Sequence, residues 1–162
     1  MSAEKLDEID IKILKILQVR GRTKRNELAE HVKLSIPAVS ERLRKMEERG
    51  VIRSYNAVVD SRKVGLGLTA FIFVMAESSV FYSQIIGSSQ SEPEILECHA
   101  VTGEGSHILK IKTQSTATLE KLLSRIQSWP GVKNTRTSVV LSSPKEETVV
   151  TLVHLEQAPS AE

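Results

Sequence analysis

Leu6, Ile9, Ile13, Ile16 and Leu17 recur at i, i+3 and i+4 spacing, which predicts an amphipathic helix over residues 7–19. Asp7 is placed to cap it, and Glu8 and Asp10 suit the positive end of its dipole. Gly21 stops this helix. Thr23 caps a second, short helix whose inner face is Leu28, Ala29 and Val32. After a break at Lys33-Leu34, Ser35 caps a third helix, with Pro37 tolerated in its first turn and Gly50 at its end. Ile36, Val39, Leu43 and Met46 form its buried stripe. Two helices, a tight turn and a longer third helix make a helix-turn-helix pattern.

Beyond the third helix the periodicity changes. Val51–Val59 reads as an extended segment, and residues 61–67, with two glycines, read as a linker. From there the chain repeats itself weakly at an offset of 37: Leu68–Glu77 falls on Gly105–Gln114, each a strand. Ser78 falls on Ser115 as a helix cap, and Tyr82, Ile85 and Ile86 fall on Leu119, Leu122 and Leu123 as inner helix faces. Pro93 falls on Pro130 and Ile95 on Val132, where each helix has ended and a strand begins. Strand–helix–strand, twice, predicts a ferredoxin-like βαββαβ sandwich with both helices on one face of an antiparallel sheet. The other face, carrying Ala70, Ile72 and Val74 or their neighbours Phe71 and Phe73, is left bare, and a homodimer would cover it. Val149–Leu155 reads as one more strand, closing an edge or swapped onto a partner.

The expected class is therefore α+β. Residues 1–60 form a winged or helix-turn-helix three-helix domain with a connecting strand, 61–67 a linker, 68–156 the ferredoxin-like domain, and 157–162 a disordered tail.

Charge sharpens this picture. Residues 1–60 hold 13 Lys/Arg against 10 Asp/Glu, a net of +3, whereas residues 61–162 hold 9 against 10. Within 20–53 the count is 10 against 5. A compact basic segment beside a near-neutral remainder points to nucleic acid, and the plain alternative is an ordinary charged helical surface. No apolar run approaches the roughly 20 residues of a membrane span, and residues 1–20 lack a signal-peptide core, so a cytoplasmic protein without a membrane role is expected. The lone Cys98 excludes an internal disulfide and a multi-cysteine metal cluster, and no cofactor or metal is expected.

On the third helix, the face opposite Val39 and Leu43 carries Pro37, Ala38, Glu41, Arg44, Lys45 and Glu48. Its first half is small or able to hydrogen-bond, as entry into a major groove requires. Ala38 can touch a thymine methyl and Glu41 can accept from a cytosine amino group. Arg42, Arg44 and Lys45 flank that surface for phosphates, and Ser35, Ser40 and the first-turn N–H groups offer another phosphate site. Thr23 and Lys24 do the same from the second helix. Each also has a structural reading: Arg44, Lys45 and Lys24 as solvated charges, Arg42 as the partner of a helix carboxylate, and Ser35 and Thr23 as plain caps.

The sequence resembles the Lrp/AsnC family, the leucine-responsive or feast/famine transcription regulators. The likeness spans residues 6–155 and rests on LDEIDIKILKILQVRGR (Leu6–Arg22), LAEHVKLSIPAVSERLRKMEERGVIRSY (Leu28–Tyr55), VTGEG (Val101–Gly105), SWPGV (Ser128–Val132) and TRTSVVL (Thr135–Leu141). The resemblance implies an N-terminal domain that binds double-stranded DNA and a C-terminal domain for effector sensing and oligomerisation. It also implies dimers that assemble into tetramers or octamers, and a free amino acid as effector. The effector residues it implies are Gly103, Glu104, Gly105, Ser106 and His107, with Thr135 and Thr137 on a following strand.

Two departures stand out. Family members that bind amino acids show Gly, two variable residues, Asp and an aromatic, whereas here Ser106 and His107 fill the last two places. The carboxylate that would pair with an α-ammonium group is missing there, with Glu104 nearby as a substitute. The plain reading of Gly103–Gly105 is a tight strand connection needing positive φ. Lys33 stands where the family often has Gly, at a cost of about 1 kcal/mol for a left-handed lysine. Two alternatives follow: an effector-independent, nucleoid-type DNA-organising protein, and a tetrapyrrole decarboxylase-like enzyme using His31, His99, His107 or His154. Against the enzyme, no acid–base pair, nucleophile motif or metal spacing is present, and adjacent Cys98 and His99 point to opposite faces of a strand.

Overall fold

The computed structural model describes residues 6–103 and 105–156. Glu104 and the 157–162 stretch expected to be a disordered tail lie outside the described residues. The chain forms two compact units, Met1–Val58 with Lys145–Glu162, and Val59–Pro144.

The first unit is built on α1 (Glu8–Val19), α2 (Arg25–Val32) and α3 (Ile36–Glu48). Asp7 caps α1 in a reciprocal box with Asp10. Ile13, Leu14, Leu28, Ala29, Val32, Val39, Leu43 and Met46 make one core, as their spacing predicts. Ile36 does not join it: it is 48% exposed at the first position of α3, one turn ahead of the buried stripe. Thr23 does not cap α2 either. Lys24 holds the N-cap position without a side-chain bond, and the Thr23 hydroxyl donates instead to the Arg20 carbonyl at 2.7 Å.

Lys33 ends α2 in the left-handed region, at φ 55° and ψ 44°. A lysine there carries the steric cost that glycine escapes, partly offset by glycine's greater freedom in the unfolded chain. Lys33→Gly is expected to stabilise this unit by up to about 1 kcal/mol in urea melts; a lower midpoint would refute that.

The segment expected as a last strand takes another form. Residues 153–156 make the short helix α6 (Val153–Glu156). Ahead of it, the Gln18 side chain accepts from the Val150 N–H at 2.7 Å and donates to its carbonyl at 3.2 Å. Leu152 packs on the three-helix core. A side-chain amide of α1 thus supplies the pairing that a neighbouring strand would have given.

The second unit runs β1 (Leu68–Ala76), α4 (Tyr82–Ser91), β2 (Ile95–Ala100), β3 (His107–Thr113), α5 (Thr116–Gln127) and β4 (Val132–Val139). The sheet order is β2-β3-β1-β4, every pair antiparallel. This is the ferredoxin-like α+β arrangement that the doubled pattern predicts. Ala70, Ile72, Val74, Leu109 and Ile111 face Ile85, Leu119, Leu122 and Ile126 of the helices, all buried. Full burial of each large side chain contributes about 1.5–3 kcal/mol. Ser115 caps α5. Its repeat partner Ser78 makes no side-chain cap, because a 3-10 turn at Ser79–Phe81 precedes α4. The register leaves Phe71, Phe73, Met75 and Ile108 on the face away from the helices.

Candidate nucleic-acid interface and effector turn

The exposed side of α3 is a charge lattice. Arg44 donates from Nε to Glu41 Oε2 at 2.9 Å and from Nη2 to Glu41 Oε1 at 2.7 Å, a two-pronged pair. Its remaining nitrogen, Nη1, donates to Glu48 at 2.5 Å. Lys45 stands 3.6 Å from Glu41. The Arg44 guanidinium, helped by Lys45, holds the Glu41 carboxyl down at about 2, so Glu41 is ionised at any physiological pH.

Arg42 is drawn away from this surface. It donates to Asp7 at 2.6 Å and Asp10 at 2.7 Å, tying α3 to the start of α1. Of its two sequence readings the structure displays the carboxylate pairing. Ser35 caps α3 by accepting from the Ala38 N–H at 3.3 Å. Pro37 is exposed, and Ala38 and Ser40 are half-buried.

Among the described residues Arg20, Arg22, Lys24 and Arg25, around the α1–α2 turn, form no ion pair, and all four are exposed. Sequence reading singled out Lys24 alone, although the run Arg20–Arg25 was the visible signal. Tyr55 is anchored by donating to Glu47 at 2.8 Å, and burial with that carboxylate pushes its hydroxyl up to about 12.

In the second unit, the turn between β2 and β3 brings Gly103 to φ 106°, the positive φ that its structural reading required. Ser106 turns inward. Its hydroxyl donates to the Val74 carbonyl at 3.0 Å and accepts from the Ala76 N–H at 3.2 Å. With its one proton committed, it can only accept from His107 Nδ1, 3.0 Å away. That makes His107 the Nδ1–H tautomer. The ring is fully buried, edge-on to Tyr82 at 4.9 Å, and its Nε2 has no partner among the described residues. Thr135 and Thr137 lie on β4 opposite Val74 and Ile72, and Gln127 of α5 donates to Thr135 at 3.0 Å. His99, by contrast, is paired with Glu97 at 3.1 Å on the far face of the sheet from His107, so the two share no cleft.

Burial pushes the His107 imidazole below its ordinary value. Below about pH 6.5 the unfolded chain gains a proton that the folded one resists, so stability is full above that pH and is lost as pH falls. The thermal midpoint of the second unit should drop from pH 7 to pH 5, and His107→Leu should flatten the drop. An unchanged slope in the variant would contradict this origin.

Residues 69–150 match the family described as the Lrp/AsnC ligand binding domain, and residues 6–53 match winged helix-turn-helix DNA-binding domains. The chain belongs to the Lrp/AsnC family. It is a DNA-binding transcription regulator of that family. It is 38% identical to the HTH-type transcriptional regulator FL11 of Pyrococcus horikoshii, over 88% of this chain and 94% of that one. It is 33% identical to the leucine-responsive regulatory protein of Salmonella typhimurium, over 87% and 88%. A transcriptional regulator of Neisseria meningitidis, solved as an L-Met complex, superposes with a TM-score of 0.87 at 36% identity, covering 93% of this chain and 99% of that one. The relatives are named as transcriptional regulators, not as enzymes. Among the described residues, no group of three or more His, Cys, Asp or Glu could hold a metal, and no helix is long and apolar enough to cross a membrane.

Proposed function

We propose that this Lrp/AsnC regulator works as a homodimer, able to build tetramers or octamers, that sets two α3 helices into major grooves of a two-fold-related DNA site. The observation that carries this reading is the α3 surface itself: small at Pro37 and Ala38, hydrogen-bonding at Ser40 and Glu41, and flanked by Arg44 and Lys45. Ser35, Thr23 and Lys24 hold phosphates beside it, joined by the unpaired Arg20, Arg22 and Arg25. Arg42 stays on Asp7 and Asp10 and braces the helix from behind. Phe71, Phe73, Met75 and Ile108, on the sheet face opposite the helices, form the dimer surface.

An amino acid is the effector class, supported by the ligand-binding match and by the Neisseria regulator solved with L-Met. Its place is the turn of Gly103, Glu104 and Gly105, with Thr135 and Thr137 on β4 opposite Val74 and Ile72. The inward use of the Ser106 hydroxyl and the burial of His107 favour a second reading, an effector-independent organiser of DNA. Hydroxyl-radical footprinting of the full chain tests both, on a duplex it selects from a random pool, with and without each common amino acid. Two protected patches about one helical turn apart, altered by one amino acid, support the first reading. Continuous protection indifferent to every amino acid supports the second, and no protection overturns both.

A further inference from the structure

Every cation of α3 is held by a carboxylate of its own domain, whereas the cations at the α1–α2 turn are not. Arg44 is the extreme case. All three of its guanidinium nitrogens are engaged, two by Glu41 and one by Glu48, from one turn on either side. The three side chains are 54%, 48% and 58% exposed, so this clasp lies on the open surface of the helix and not in the core.

We propose that Glu41 and Glu48 temper affinity at the cognate site: they keep Arg44 closed against DNA in general and must be given up when it reads its own sequence. The inference rests on the reading that α3 contacts DNA. A guanidinium leaves a bidentate carboxylate without loss only when the new partner offers a matching pair of acceptors. The O6 and N7 atoms on a guanine edge are such a pair, and two phosphate oxygens at a fixed register are another. On a non-cognate duplex that pair is absent or misplaced. Arg44 then stays with its carboxylates and adds nothing to phosphate neutralisation. What opening costs, two carboxylates left without their guanidinium, falls on the right sequence, where Arg44 leaves them, and not on wrong ones, where the clasp stays closed. Non-specific grip is left to Arg20, Arg22, Lys24 and Arg25, which among the described residues have no carboxylate to release.

Roles therefore divide. The turn cations set the salt dependence, and Arg44 sets the preference among sequences. Glu47 provides the control, because it sits on the same helix beside Glu48 but takes its hydrogen bond from Tyr55. Glu47→Gln changes the charge of α3 by the same amount and leaves the clasp intact.

The test uses the full-length chain on two duplexes, one selected from a random pool by the wild-type protein and one of scrambled sequence, across a salt series. Glu48→Gln should tighten the selected duplex about fivefold and the scrambled duplex by less than about twofold, raising their ratio. Glu47→Gln should leave the ratio unchanged. Arg44→Ala should weaken the selected duplex about tenfold and barely affect the scrambled one. In the Arg44→Ala background, Glu48→Gln should no longer change the ratio. Equal gains on both duplexes for Glu48→Gln, matched by Glu47→Gln, would reduce the effect to bulk charge and overturn the proposal. If Arg44→Ala and Lys45→Ala change neither duplex, the fault lies instead in the reading that α3 meets DNA.

Discussion

Gly131→Ala should unfold the second unit far more readily than its single methyl suggests. Gly131 sits at φ 77° in the turn between α5 and β4. A Cβ built there lies 2.0 Å from Phe81 Cγ and 2.2 Å from Phe81 Cβ, the rigid base of that side chain and not a movable tip. Phe81 is itself packed on the core, so it has nowhere to retreat without opening the α4 end of the layer. The carbonyl of the same glycine also accepts from Glu77 at 2.8 Å, pinning the turn to the end of β1. The left-handed backbone costs an alanine about 1 kcal/mol, and forced overpacking adds about 1–3 kcal/mol. A loss of about 3 kcal/mol is a large share of the 5–15 kcal/mol typical of a domain. Urea denaturation should show a lower midpoint at an unchanged slope; a midpoint equal to that of the wild type would contradict the close approach.

In the proposed dimer, Phe73→Glu should separate the protomers without unfolding them. Phe73 lies on the uncovered sheet face, paired across the sheet with Ile108 on β3 and with Arg136 on β4. The Arg136 guanidinium already rests 4.8 Å from the Phe73 ring centroid. A glutamate at 73 would find that same arginine as an ion-pair partner within its own chain, so the fold survives. Two such carboxylates brought together at a two-fold interface would not find each other tolerable. Sedimentation should therefore return monomers, and DNA affinity should fall about a hundredfold as the second half-site contact becomes a separate event. A dimer that persists, or monomers that bind as tightly as the parent, would remove the sheet face from the account.

Much of this architecture was legible because the deciding interactions are local or periodic. Val39, Leu43 and Met46 mark the buried side of α3 by spacing alone. The offset repeat placed β1 and β3, Ile85 on α4, the inner face of α5 and the Ser115 cap, but not Tyr82 and Ile86, which are exposed. It failed at Ser78 because the 3-10 turn at Ser79–Phe81 shifts the start of α4, an irregularity no repeat encodes. Val149–Leu155 has the composition of a strand, yet its backbone partner is the side chain of Gln18, 132 residues away from Val150. Propensity cannot report a partner of that kind.

The candidate site was legible in outline and obscure in detail for a similar reason. The i, i+3 and i, i+4 relation of Glu41, Arg44 and Glu48 stood in the sequence, but the same residues also fit the expectation of cations waiting for phosphate. Only geometry shows that Arg44 is already occupied. At Ser106 the sequence shows a missing carboxylate. It does not show that the hydroxyl in its place ties the end of β3 to Val74 and Ala76 and fixes the His107 tautomer. Nor did anything local point to Asp7 and Asp10 as the holders of Arg42, more than thirty positions away in the chain.

Entry of α3 into the major groove can be read most directly from methylation interference on the selected duplex. Dimethyl sulfate marks guanine N7 in the major groove and adenine N3 in the minor groove in one reaction. The account predicts that N7 methylation blocks binding in two clusters, about one helical turn or a multiple of it apart, while N3 methylation is tolerated. Interference confined to adenine N3, or none at guanine N7, would contradict it.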